Sequence, residues 1–483
     1  MILSIDQSTS ATKALLWTPD GMRITRADVP HKQITNQQGW IEHDPTEILN
    51  NVYASITQAL AQANASFQDI QVMGISNQRE TAVCWDRITG VPLYHAIVWQ
   101  CGRASAITDA LSTQGHAQTI KDITGLPLSP YFSAAKFAWM VQHVPEVKQA
   151  FNENRLCCGT MDSWLIFKLT GQFKTDYSNA SRTQLLNLNK CCWDDKLLHL
   201  FGLNINCMPE ICMSDDLFGH AHFNQNANIP IHGVLGDSHG ALFANECHKP
   251  MMAKATYGTG SSIMMNVGTA PPVPPNGIAA SIAWGMNNSI QYVLEGNIND
   301  TGAVIQWLTD AAELIHQPKD AGMFSKTVED TNGVYFVPAF SGLGAPYFHN
   351  DVRAAWIGIN RATKKAHLVR AAEECIAYQI KDVIEVMNTA THQPLASLKV
   401  DGGPTKDSFL MQFQADILDI PIHIAQTEER SGMGAAYCAA IGAGLTDMRI
   451  FAHEQYHSVH PHMNEDKRDR LYTGWKTAVN TLI

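Results

Sequence analysis

Nothing in this chain of 483 residues approaches the run of roughly 20 apolar residues needed to cross a bilayer. The opening stretch MILSIDQSTS has no basic region ahead of its short apolar run. We therefore expect neither a signal peptide nor membrane insertion. Basic charge is scarce too: 34 Lys and Arg stand against 45 Asp and Glu, a net charge of −11. That balance argues against nucleic acid or anionic membranes as general partners and favours a small molecule. The eleven cysteines include two vicinal pairs, Cys157 with Cys158 and Cys191 with Cys192, but none with the two-residue gap of a zinc knuckle. An odd count without an export signal reads as reduced thiols in a cytoplasmic protein.

The length exceeds what one hydrophobic core normally serves, so two domains are expected. With 45% hydrophobic and 16% charged residues, both can have substantial cores. Residues 1–17 read as a strand, a turn rich in Ser and Thr, and a second strand from about Lys13. Residues 45–64 carry apolar positions at helical spacing behind a Pro-Thr start, and IQVMGISNQ follows as a strand. A second set of elements is expected from about residue 228, where NIPIHGVLGDSHGALFANE gives a strand, a Gly-Asp turn and a small-residue helix. Residues 396–418 add a strand, a Gly-rich turn and a helix, and RSGMGAAYCAAIGAG is the last Gly-rich element. No low-complexity linker separates the halves, and the boundary is placed near 246, giving domains 1–245 and 246–483.

Within GISNQRETAVCWD, Arg79 and Glu80 put opposite charges side by side at the end of an apolar strand. An ion pair or a solvated strand end is the simpler reading. The sharper one is a hydroxyl clamp, because a guanidinium donates and a carboxylate accepts, so together they can hold a polyol. DQSTSATK offers small hydroxyls and backbone amides in a turn followed by Lys13, a cradle for phosphate oxygens, or merely a good turn. Asp6 at the end of that strand is a candidate carboxylate for Mg2+. Asp237 in LGDSHGAL is either a helix cap or a base that accepts a hydroxyl proton. TYGTGSS and DGGPTKDS are Gly-rich turns that let backbone approach a ligand closely.

Taken in order, GISNQRET, AIVWQCGR, SPYFSAAKFAWMVQH, TDYSNASRT, TYGTG, DTNGVYFVPAFSGLGAPYF and VDGG followed by FLMQFQADIL resemble the FGGY family of carbohydrate kinases, its glycerol kinases above all. The likeness runs nearly end to end. It implies an α/β, two-domain actin-like ATPase fold of the ribonuclease H-like type, with ATP and a polyol in the cleft between the domains. It also implies an ATP-dependent transfer to a terminal hydroxyl, with Mg2+ on the phosphates, in a protein that is a dimer or tetramer. The implied polyol residues are Arg79, Glu80, Trp99, Tyr131 and Asp237, with Asp237 as general base. The implied nucleotide residues are Ser10, Lys13, Thr259, Gly302, Gln306, Gly403 and Asp407.

Several positions depart from the family. Lys13 stands where Arg is common and Asp407 where Asn is common, so a bidentate fork and an amide are lost. Ser238 replaces a substrate-bonding Gln, and Ser261 and Ser262 stand where a Phe lies against the carbon chain of glycerol. Both changes enlarge the pocket and make it more polar, which points to a four- or five-carbon polyol or ketose as the alternative to glycerol. Asn297, Asn299 and Asp300 add polar groups that either face further hydroxyls or cap the helix holding Gln306. Trp284 is a neighbour that could refill the space left by the missing Phe. Glu373, where an apolar residue is usual, is expected to be a helix-surface change. A reading of another class, a catalytically silent ATP sensor, is disfavoured by the retention of Asp237.

Overall fold

The computed structural model describes residues 1–224, 227–349 and 351–483. Its two large sheets repeat one plan. In the first, Ile2–Gln7 pairs antiparallel with Ala11–Trp17, which pairs antiparallel with Arg23–Pro30. On its other side Ile2–Gln7 runs parallel to Val72–Asn77, and that strand parallel to Ala227–Gly236. Gly219–Asn224 closes this edge. In the second sheet Ala253–Tyr257 takes the place of Ile2–Gln7, with Ser261–Gly268, Ser289–Ile298 and Ala279–Met286 following as antiparallel strands on one flank. Leu398–Gly402 and Ile422–Ala425 follow in parallel on the other, with Tyr456–Val459 at the edge.

This topology corrects one expectation. Ala227–Gly236 does not begin the second set; it lies in the first sheet between Val72–Asn77 and Gly219–Asn224, and the second set begins at Ala253. The reason is burial. Val234 and Leu235 pair with Ile75 and Ser76 in the middle of the first sheet and are fully buried, a site that only a strand covered on both faces can fill.

The expected helix forms as Pro45–Gln62. Asp44 caps it by accepting from the Thr46 amide, and Ile48, Val52, Ile56, Ala59 and Leu60 turn one face onto the first sheet. RSGMGAAYCAAIGAG forms the helix Arg430–Gly442. Although late in the chain, it packs on the first sheet rather than the second. A Cβ on Gly74 would lie 2.3 Å from the Ala435 carbonyl oxygen, and one on Gly434 would lie 2.0 Å from that of Gly240, so bare backbone is needed for this approach. Met433, Ala436 and Tyr437 of this helix share a core with Leu15, Trp17, Met264 and Trp284, joining the two halves. All eleven cysteines are free, and among the described residues no helix is long and apolar enough to cross a membrane.

Candidate active site

Between the strands Val72–Asn77 and Ala82–Asp86 the chain turns, and Glu80 takes a left-handed backbone conformation with φ 61°. A non-glycine residue held there costs about 1–3 kcal/mol and calls for a compensating reason. The reason visible here is the placement of two buried charges. Arg79 Nη1 and Nη2 donate to Glu295 Oε2 and Oε1 at 3.0 and 2.8 Å, while Nε lies 3.1 Å from Asp237 Oδ1. Arg182 Nε donates to Glu80 Oε1 at 2.6 Å, and its Nη1 lies 2.8 Å from Glu295 Oε2 without hydrogen-bond geometry. Ion pairs are therefore present, but Arg79 and Glu80 are not each other's partners. Burial alone would raise Glu295; Arg182 and Arg79 outweigh it and hold the carboxyl well below its usual range.

Two aromatics stand beside this network. Trp99 Nε1 donates to Thr9 Oγ1 at 2.9 Å, and its ring meets Tyr131 edge-on at 5.5 Å. The Tyr131 loop is held by the fully buried Lys136, whose ammonium donates to the carbonyls of Pro130 (2.8 Å), Tyr131 and Phe132 (3.2 Å). Asp237 is the first residue of the helix Asp237–Ala244, with Gly236 in the cap position, so it is not the side-chain cap that its sequence context also allowed. Its Oδ1 accepts from the Ser238 amide at 2.6 Å. Its side chain is 36% exposed above an Arg79 side chain at 5%, so the carboxylate is pinned yet open to the cleft.

Ser262 is drawn into the same network. Its hydroxyl donates to Glu295 Oε1 at 3.1 Å and accepts from Lys254 Nζ at 3.3 Å. Trp284 does not refill the space; it is buried in the core that joins the halves, against Phe243 and His248. Asn297 pairs with Ser262 in register and so shares its face, whereas Asn299 is exposed. Asp300 is buried with Oδ2 unpartnered, and burial raises its pKa to about 6. None of the three caps the helix Gly302–Asp310, which begins behind Thr301 without a side-chain cap.

In the N-terminal hairpin, Ser8 Oγ donates to the Ala11 carbonyl at 2.9 Å, closing the turn and leaving Ser10 exposed. Lys13 Nζ lies 3.1 Å from Asp6 Oδ2 and 3.0 Å from Glu429 Oε2. Burial raises the pKa of Asp6 against the pull of Lys13, with Glu429 and Asp237 adding like charge.

Five of the seven expected nucleotide residues, Thr259, Gly302, Gln306, Gly403 and Asp407, line one cavity of about 810 Å³ in the second half. Ser10 and Lys13 lie outside it, on the hairpin. The Gly302 amide donates to the Gly258 carbonyl at 2.9 Å, and a Cβ on Gly302 would lie 2.6 Å from that oxygen. The hairpin of Ala253–Tyr257 and Ser261–Gly268 thus reaches the cavity through its turn and the charged network through Lys254 and Ser262. Glu373 lines the same cavity and is 1% exposed, so it is no surface change: its helix, Lys365–Thr391, is enclosed along this stretch.

Sequence reasoning missed Glu295, Arg182 and Lys254. Each had a signal, a charged residue inside an otherwise apolar strand for Glu295 and Lys254 and, for Arg182, a place in TDYSNASRT.

Comparison with known proteins follows the same lines. Residues 1–244 match the N-terminal domain of the FGGY family of carbohydrate kinases and residues 253–443 its C-terminal domain. A glycerol kinase of Desulforamulus reducens is 41% identical over 488 residues, covering 99% of this chain and 97% of that protein. One of Alkaliphilus oremlandii is 42% identical over 490 residues, covering 100% and 97%. Among solved structures, Plasmodium falciparum glycerol kinase with ADP superposes with a TM-score of 0.94 at 34% identity, covering 100% of this chain and 98% of that one. A xylulose kinase of Lactobacillus acidophilus shares the fold at a TM-score of 0.88 and 22% identity, covering 98% and 95%.

Proposed function

Because the chain belongs to the FGGY family of carbohydrate kinases, we propose that it transfers the γ-phosphoryl group of ATP to a terminal hydroxyl of glycerol, giving glycerol 3-phosphate. The observation that carries this reading is the joining of Arg79, Glu80 and Asp237 through Glu295 and Arg182 beside Trp99 and Tyr131. Arg79 and Glu80 would bind the hydroxyls from opposite sides, and the aromatic pair would cover the carbon chain. Asp237 would accept the proton of the attacking hydroxyl. Its contact with Arg79 would keep that carboxylate aimed. The nucleotide would lie in the cavity lined by Thr259, Gly302, Gln306, Gly403 and Asp407, with Ser10 and Lys13 turned toward its phosphates from the hairpin. The domain division at residue 246 is part of this reading, as each half then supplies one side of the cleft.

Magnesium would rest at Asp6. Asp6 is a buried carboxylate whose own ion-pair partner is Lys13, shared with Glu429, while Arg26 and Arg79 answer the neighbouring Glu429 and Asp237. Among the described residues no group of three or more His, Cys, Asp or Glu could hold a metal alone, so the substrate phosphates would share the ion. Bound there, it would neutralise phosphate charge.

A second reading, a four- or five-carbon polyol or ketose, is favoured by one observation: Ser262, tied to Lys254 and Glu295 and facing along with Asn297, replaces an apolar wall by hydroxyl and amide. ADP release with ATP and magnesium, measured across glycerol, erythritol, threitol, the pentitols, dihydroxyacetone, erythrulose and the pentuloses, decides between them. The highest kcat/KM for glycerol supports the first reading; a higher value for a longer substrate supports the second. ATP hydrolysis unaffected by every one of these polyols would support the sensor instead.

A further inference from the structure

We propose that Lys136 is a positioning residue for the polyol: its ammonium gathers three consecutive carbonyls and so sets the Tyr131 side of the clamp. The inference rests on the polyol reading of that site and adds to it a residue that itself touches no substrate.

Lys136 is the fourth residue of the helix Ser133–His143 and is fully buried. Its side chain turns back past the start of that helix, where Nζ donates to the carbonyls of Pro130 (2.8 Å), Tyr131 and Phe132 (3.2 Å). The same helix end holds the other side of the clamp. Ser133 Oγ donates at 3.1 Å to the carbonyl of Glu80, the residue with the left-handed backbone. The Ala134 amide donates at 2.9 Å to the carbonyl of Thr183, next to Arg182, which bonds Glu80 and lies over the Phe132 ring at 5.1 Å. One helix end thus fixes Glu80 and Tyr131 relative to each other.

An ammonium suits three converging carbonyls because it carries three donors and no acceptor. A guanidinium spreads its donors in a plane, and an apolar side chain has none. A free amine has two donors and a lone pair, so on losing its proton to solvent Lys136 leaves one carbonyl facing that lone pair. The cation is poorly compensated, since burial and the positive end of its own helix both disfavour charge there. Glu80 and Cys101 are the ionisable groups that face it. Glu80 is already bonded by Arg182, and Cys101 accepts from Arg103 Nε at 3.1 Å. On the elements packed around the helix, Asp86 is paired with Arg155, and Asp109, Glu146 and Lys148 are exposed. Burial, outweighing Glu80 and Cys101, lowers the Lys136 pKa to about 7. It pushes the Tyr131 phenol up, so that group does not titrate in the same range. The three-donor form therefore dominates at pH 6 and is scarce at pH 8.5, and the Tyr131 wall is held accordingly.

The test joins calorimetric titration with glycerol and with erythritol to amide hydrogen exchange at Tyr131 and Phe132, expressed as protection factors, at pH 6 and pH 8.5. In the unaltered protein, affinity for the better-bound polyol should fall about tenfold at the higher pH, the effect of one buried carbonyl left without a donor, and protection of both amides should fall with it. K136M at pH 6 should bind as weakly as the unaltered protein at pH 8.5, with no further change on raising the pH, and its polyol KM should rise by a larger factor than its kcat falls. Equal affinity and protection at the two pH values in the unaltered protein would overturn the proposal without any variant. A K136M protein with lowered kcat and unchanged KM would overturn it as well. Protection that falls with pH in a protein binding neither polyol would leave the hold on Tyr131 standing and remove the kinase reading. Phosphorylation of glycerol with a KM constant across this range would do the reverse.

Discussion

At the proposed polyol end of the cleft, charges alternate in sign: Arg79 and Arg182 lie among Glu80, Glu295 and Asp237. At the proposed nucleotide end Asp407 accepts from the backbone amides of Phe409, Leu410 and Gly322, and Glu373 from the Ser325 hydroxyl. The first arrangement is set by Coulomb attraction in a buried site and holds one geometry across the pH range in which carboxylates are ionised. The second is held by neutral donors, backbone amides and one hydroxyl. Catalysis of hydroxyl attack demands a base that is held and aimed, and the first arrangement holds Asp237 through Arg79.

The contrast can be broken most severely at Asp237. Asp237→Asn keeps the shape but cannot accept a proton, so kcat should fall by about 10²–10⁴ with polyol binding nearly unchanged; steady-state kinetics and calorimetry read the two quantities separately. Next comes Glu295→Leu, which leaves Arg79 and Arg182 buried without their shared partner. Denaturant unfolding should show a loss of about 3–5 kcal/mol. Ser262→Phe restores an apolar wall and should shift the ratio of kcat/KM for glycerol against erythritol toward glycerol, by an amount worth about 1–3 kcal/mol.

The smallest expected effect is a pH dependence at the nucleotide end. The Glu373 pKa is raised by burial first and by Asp407 second, with Glu374 adding like charge and Ser325 opposing. A carboxyl raised on folding contributes stability that is fully present below its unfolded pKa and is lost as pH rises through the folded one. The Tm of the unaltered protein relative to Glu373→Gln should therefore decline as pH rises above the ordinary glutamate range. A difference in Tm that stays constant with pH would show that the two ends do not differ in the way described.

Much of the fold was legible because the signals are local. The capped helix Pro45–Gln62 and the strand, turn and helix at 398–418 follow from periodicity and from Asp and Gly at their ends. The strand Ala227–Gly236 is legible, but it reads as the start of a second set of elements, since its parallel partner Val72–Asn77 lies far earlier in the chain and no local signal names it. The same limit applied at the site. Arg79 and Glu80 were conspicuous, yet their true partners, Glu295 and Arg182, are 216 and 102 residues away. Asp407 and Glu373 stand out singly in the sequence; only the packing of two helices and a loop brings both to one cavity.

The most direct measurement is product identification by phosphorus NMR after incubating the unaltered protein with ATP, magnesium and glycerol. A new phosphate monoester on a terminal carbon, formed together with ADP and absent with Asp237→Asn, is the result expected. Inorganic phosphate as the sole new signal, at a rate independent of glycerol and of every longer polyol tried, would contradict it.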